Sequence, residues 1–151
     1  PVSETRDLQS EMFSRPFGRQ LDLRLVEAYI QDYDKAKPGD IYVYADYVDY
    51  TSKQLLGEKD GTTAISAMIL RTIMRKDENK AFSIDVNAYF INPSTHTISI
   101  SRSEDAKGID IKKNERAEAV FKLPSHQLQV GDPQYEIAKL MYQDLTNKKF
   151  D

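Results

Sequence analysis

Hydrophobic positions along this chain recur mostly at every second residue, the period of a strand with one side turned to a core. In AFSIDVNAYFI, Phe82, Ile84, Val86, Ala88 and Phe90 face one way and Ser83, Asp85, Asn87 and Tyr89 the other, which predicts a strand with one wet face. NPST at 92–95 supplies a turn, and HTISISR continues the alternation with Ile98 and Ile100 opposite Thr97, Ser99 and Ser101, so a hairpin is expected. RAEAVFKL sets Ala117, Ala119, Phe121 and Leu123 on one face and predicts another strand. In QLDLRLVEAYIQDY, Leu21, Leu23 and Leu25 alternate as in a strand, although Leu23, Val26, Ile30 and Tyr33 also fit a helix; strand is the preferred reading. Residues 62–75 fit both periods: Ile65, Met68, Ile69, Thr72 and Ile73 suit a helix, whereas Ile65, Ala67, Ile69 and Ile73 suit a strand face.

Turn residues divide these segments. KPGD at 37–40 combines a proline that fixes φ with a glycine that supplies the reversal. TSKQLLGEKDG at 51–61 reads as a polar excursion with Asp60-Gly61 at its end, and the mixed charges of 103–115 read as a loop with at most a short strand at Ile109 and Ile111. LPSHQLQVGD leads to a closing helix, capped by Asp132, opened by Pro133 and carrying Ile137, Leu140, Met141 and Leu145 as its apolar stripe. The first 18 residues are polar with no sustained period and predict an extended arm that packs through Phe13 and Phe17. The expected organisation is an arm at 1–18 and a single α+β domain at 19–151. That domain is mainly an antiparallel sheet of five or six strands with the C-terminal helix packed on one face.

One segment stands apart. IYVYADYVDY, residues 41–50, holds four of the chain's nine tyrosines. Alternation puts Ile41, Val43, Ala45 and Tyr47 on one face and Tyr42, Tyr44, Val48 and Tyr50 on the other, while Asp46 and Asp49 fall on opposite faces. With both faces largely apolar, the plain reading is a central strand covered on two sides. The sharper reading makes Tyr42, Tyr44 and Tyr50 an adhesive stripe, because tyrosine offers apolar area and a hydroxyl at low entropic cost. Those three residues are the candidate binding residues.

Composition removes several classes of function. A formal charge of −3 with interspersed signs gives no broad positive field for nucleic acid. No apolar run is long enough to span a membrane, since AISAMILRTIM at 64–74 is broken by Arg71. The absence of cysteine excludes disulfides and thiolate chemistry. His96 and His126, the two histidines, stand alone without metal-ligand spacing, and neither a glycine-rich phosphate loop nor a repeating-acid calcium loop occurs. No catalytic residue, metal or cofactor is therefore expected, and a protein partner is the expected ligand.

In order of elements, AYIQDYDKAKPGDIYVYADYVDY, SAMILRTIMRK, AFSIDVNAYFI and VFKLPSHQLQVGDPQYEIAKLMYQDL together resemble the small bacterial surface-adhesin E-like envelope proteins over residues 28–145. The chain departs from that family in lacking its usual cysteine pair, and it has no tryptophan. The resemblance implies an exported α+β protein without catalytic residues, and a strand at 62–75. A chain that begins with Pro1 instead of Met also fits a mature exported protein. The expectation is a non-enzymatic periplasmic or cell-surface protein that binds a protein partner. The alternatives are a cytoplasmic interaction module, such as an immunity protein or adaptor, and a small hydrolase using His96 or His126.

Overall fold

A computed structural model describes residues 20–105 and 116–151 of the chain. The expected arm at 1–18 and the expected strand at Ile109 and Ile111 lie outside the described residues. In chain order the strands are β1 (Leu23–Ile30), β2 (Ile41–Asp49), β3 (Gln54–Lys59), β4 (Thr62–Arg75), β5 (Ala81–Asn92), β6 (Thr97–Ser101) and β7 (His126–Gln127). Helix α1 (Arg116–Val120) lies between β6 and β7, and α2 (Pro133–Thr146) follows β7. The sheet runs β1-β2-β4-β5-β6-β7, with β3 also paired to β4. Its β1–β2, β2–β4, β3–β4, β5–β6 and β6–β7 ladders are antiparallel. The protein is thus α+β, a mainly antiparallel sheet with a C-terminal helix packed on it.

Residues 62–75 are a strand throughout. Its first part pairs with β3, from Lys59↔Thr62 to Gln54↔Ser66, and its second with β2, from Val48↔Ile69 to Ile41↔Arg75. Threonine and isoleucine dominate the segment, and branched side chains pack well on a pleated surface. The chain falls into two compact units, one holding the part up to Thr51 with Ile69–Asp85, the other Ser52–Met68 with Val86–Asp151. β4 and β5 each contribute to both.

In the first unit, β1 and β2 pair from Leu23↔Asp49 to Ile30↔Val43, with a bulge at Val26. Tyr47, Val48, Ala45 and Leu70 are fully buried there. In the KPGD turn, Asp40 N–H donates to the Lys37 carbonyl at 2.9 Å and Gly39 takes a φ of 87°, a conformation side chains resist.

The second unit corrects three sequence expectations. The excursion at 51–61 contains strand β3, which turns into β4 through Asp60 (φ 52°) and Gly61 (φ 83°), two positive φ values that match the twist of a two-residue hairpin. The predicted strand RAEAVFKL is instead α1 followed by a turn, in which Phe121, Lys122 and Leu123 donate to carbonyls three residues back. Arginine, alanine and glutamate favour a helix. Val120 and Leu123, three apart, pack with Ala64 and Ala88 against Leu56, Phe90 and Phe121. The third correction is the wet face of β5: burial follows position along the strand, with both faces exposed from Ala81 to Val86 and both covered from Asn87 to Ile91, so Asn87 and Tyr89 are buried.

Helix α2 accounts for the burial of Asn87 and Tyr89. The Tyr89 hydroxyl donates to Gln134 Oε1 on α2 and accepts from Asn87 Nδ2 at 3.3 Å. All three residues are buried, so the polar groups exchange water for one another as the helix closes over the strand. Asp132 caps α2 by accepting from Gln134 N–H at 2.9 Å, and Pro133 opens it. The buried face of the helix is Tyr135, Ile137, Ala138, Met141 and Tyr142, while Leu140 is exposed, so the expected stripe is rotated towards the two tyrosines. Buried Phe150 beyond the helix packs edge-on to Tyr135 and Tyr142 and stacks on His96 at 4.6 Å.

Burial raises the pKa of Tyr89 well above the ordinary value for tyrosine, because the phenolate would be stranded away from water. The folded state therefore holds this proton more tightly than the unfolded chain, whose tyrosines ionise near about pH 10. The resulting stability is complete below that pH and is lost as pH rises towards the folded value. Urea melts should show a midpoint that falls steeply above about pH 10, and a shallower fall in Tyr89→Phe. An equal slope in the two proteins would mean that Tyr89 does not carry the effect. At neutral pH the same substitution leaves Gln134 and Asn87 short of a partner and should cost about 1–3 kcal/mol.

Candidate binding site

β2 is covered unevenly along its length. From Ala45 to Asp49 every residue is buried, while Ile41 to Tyr44 are half-buried. The covered-strand reading of IYVYADYVDY thus holds for the second half of the strand alone, and the first half is left partly open. The buried half carries Tyr47, and the half-buried one carries Tyr42 and Tyr44.

Tyr44 stands opposite Tyr29 of β1 in the ladder, and their rings stack with centroids 5.7 Å apart and planes 18° apart. The Tyr44 hydroxyl donates to Glu27 Oε1 at 2.8 Å, and that bond raises the Tyr44 pKa. On the β4 side, Arg71 lies 5.4 Å from the Tyr44 ring centroid while its guanidinium grips Asp46 with two bonds of 2.6 and 2.7 Å. Asp46 is 5% exposed, so the paired guanidinium is what allows a carboxylate to sit there. The same bonds raise the Arg71 pKa.

Tyr42 occupies the extra position of a bulge between β2 and β4, where Ile41 pairs with Arg75 and Val43 with Met74. A bulge re-aims side chains, and the Tyr42 ring meets Tyr33 edge-on at 5.0 Å. Tyr33 lies in a one-turn 3₁₀ helix, Tyr33–Lys35, capped by Asp32, whose side chain accepts from Asp34 N–H at 3.0 Å. Lys76 Nζ sits 4.6 Å from the Tyr33 ring and donates to the Tyr33 carbonyl, and Asp77 raises the Tyr33 pKa through its negative charge. Two aromatic pairs, Tyr29–Tyr44 and Tyr33–Tyr42, are therefore presented with Arg71 and Lys76 against their rings. Tyr29 and Tyr33 are 42% and 44% exposed, which leaves ring area available for contact.

Tyr50 is not brought to this group. It begins the 3₁₀ turn after β2, six residues beyond Tyr44, which is roughly 20 Å along a strand. Its ring carries the Arg24 guanidinium at 4.1 Å, and Arg24 is held by Asp22 through bonds of 2.8 and 3.0 Å. Tyr29 and Tyr33 were missed as candidate site residues, although AYIQDY at 28–33, shortly before the strand, also combines tyrosine with aspartate.

Asp46 and Asp49 point to separate tasks. Asp49 is fully buried and accepts from Thr51 N–H at 3.1 Å and from Thr51 Oγ1 at 2.6 Å, which ends β2. His96 sits in the β5–β6 turn at φ 56°, stacked on Phe150, while His126 Nε2 lies 2.6 Å from the Arg102 guanidinium. Among the described residues no group of three or more His, Asp or Glu side chains is placed to hold a metal ion, and no helix is long and apolar enough to cross a membrane. Comparison with known proteins gives no match to a protein-family model, a curated protein or a solved structure.

Proposed function

We propose that this chain is a non-enzymatic binding protein that captures a protein partner on the face formed by Tyr29, Tyr33, Tyr42 and Tyr44. The observation that carries the reading is the pair of aromatic contacts joining β2 to β1 and to the 3₁₀ turn after it, with two rings half-exposed and cations lying against them. Tyrosine and arginine are the residues that most often dominate protein–protein binding energy, and rings already ordered by neighbours lose little entropy on docking. The partner offers apolar groups to the rings and acceptors to the tyrosine hydroxyls. An exported, envelope location belongs to the same proposal and is supported by the resemblance to the surface-adhesin E-like proteins.

Site-specific photocrosslinking in cells tests this. A photoreactive residue at position 29 or 33 should trap one discrete protein, the same from both positions, whereas one replacing exposed Glu136 on α2 should not. Adducts of equal pattern from all three positions would count against the proposed face. Recovery of the trapped protein in the soluble cytoplasmic fraction would count against the envelope location alone.

A further inference from the structure

The second unit holds a cavity of about 560 Å³ that plays no part in the tyrosine face. Its walls are Leu56, Ala67, Met68, Ala88, Val120 and Leu123, contributed by β3, β4, β5, α1 and the turn after it. Volume and lining are those of a site for a small organic molecule. Five hydroxyl or guanidinium side chains, Ser52, Ser66, Ser101, Arg102 and Ser103, interrupt the apolar wall together with the Gln54 amide. Two of them are already engaged: Ser52 Oγ accepts from Met68 N–H at 2.8 Å, and Ser103 Oγ donates to the Val86 carbonyl at 3.0 Å.

Ser101 and Arg102 are not used up. Ser101, opposite Ala88 in the β5–β6 ladder, is 2% exposed, and among the described residues its Oγ has no hydrogen-bond partner. A buried hydroxyl without a partner is uncommon and costs stability, so its retention inside a cavity calls for a ligand that satisfies it. Arg102 follows it on the wall. Its guanidinium meets His126 Nε2 at 2.6 Å, and the nearby Asp105 carboxylate accepts from the Arg102 backbone N–H at 2.9 Å. Among the described residues no carboxylate forms an ion pair with that guanidinium. A cation with spare donors therefore borders an apolar chamber that contains one orphaned hydroxyl.

We infer that this cavity binds a small amphiphile with a carboxylate head and a hydrocarbon body. The hydrocarbon lies among Leu56, Ala67, Met68, Val120 and Leu123, and the head takes bonds from Arg102 and from the Ser101 hydroxyl. Arginine suits a carboxylate through its planar fork of donors. The preference for an acid over a neutral molecule of the same length is a property of Arg102, and the capacity for an alkyl chain is a property of the cavity.

Calorimetric titration of the whole chain with decanoate, and separately with 1-decanol, tests both parts. Decanoate should bind saturably at one site and at least tenfold more tightly than the alcohol. Arg102→Gln should remove that preference while leaving decanol binding unchanged. Ser101→Ala should weaken decanoate binding severalfold yet melt at the same temperature as the parent or higher, because the unpaired hydroxyl is gone. Ala67→Phe should fill the chamber and abolish binding of both ligands; should that variant fail to fold, Val86→Trp at the exposed rim should obstruct entry in its place. No saturable binding, or binding that survives the filling variants, would overturn the site. Equal affinity for acid and alcohol would overturn the carboxylate assignment.

Discussion

Ile98→Asp is expected to cost about 4 kcal/mol or more and to lower the melting temperature by well over ten degrees. Ile98 is fully buried on β6, opposite Ile91 of β5, and its carbonyl accepts from Leu128 N–H at 2.8 Å. The substitution removes the hydrocarbon that fills this position and sets a carboxylate where no partner waits, so two penalties combine. Ser99→Asp, one residue on, points to the other side of the strand, where Ser99 is only half-buried beside Phe90 and Gln127. It should cost about 1 kcal/mol or less, a shift of a few degrees at this chain length. A pair of thermal melts decides the matter, and equal losses would mean that the hairpin faces are assigned wrongly.

Tyr47→Ala should have the next largest effect, about 3–5 kcal/mol, because a fully buried aromatic is replaced by a methyl and the surrounding sheet cannot collapse to fill the space. Tyr44→Ala, three residues earlier in the same strand, should cost far less. Its ring is half-buried, its hydroxyl bonds an exposed Glu27, and its stacking on Tyr29 contributes about 0.5–1.5 kcal/mol. Urea melts of the two variants should therefore differ in midpoint by a wide margin with similar slopes. Equal midpoints would mean that β2 is covered uniformly and that its first half offers no binding surface.

Periodicity made most of the sheet legible. β5, β6 and the turn between them follow from strict alternation, and the turn has a local cause in Asn92, whose side-chain oxygen accepts from Ser94 and Thr95 N–H at 3.0 and 3.2 Å. β4 was ambiguous because its apolar residues suit two periods at once, and only pairing with β2 and β3 separates them. β3 and β7 were hidden for another reason. Their ladders use backbone groups under largely exposed side chains, so no apolar pattern marks them. α1 was misread because alternate alanines imitate a strand, when intrinsic preference favours the helix. The covered end of β5 could not be read locally: Tyr89 is covered by Gln134, forty-five residues further on.

The candidate site was legible in part. Tyr42 and Tyr44 are brought beside partners, yet those partners, Tyr29 and Tyr33, reach them through β-pairing and a bulge that composition does not announce. Tyr50 shares the parity of Tyr44 but lies past the end of the strand, where Arg24 covers it. Parity assigns a face, and coverage by neighbours decides whether that face is open. The orphaned Ser101 hydroxyl gave no signal at all, since an alternating serine on a strand ordinarily faces water.

The most direct test measures binding and stability together. The protein trapped by the photocrosslinker at positions 29 and 33 is purified, and its affinity for the parent chain, Tyr29→Ala and Tyr33→Ala is measured beside their melting temperatures. The expected result is a loss of affinity of about tenfold or more in at least one variant, with melting temperatures within a few degrees of the parent. Unchanged affinity in both variants, with the partner still bound, would contradict the tyrosine face as the binding surface.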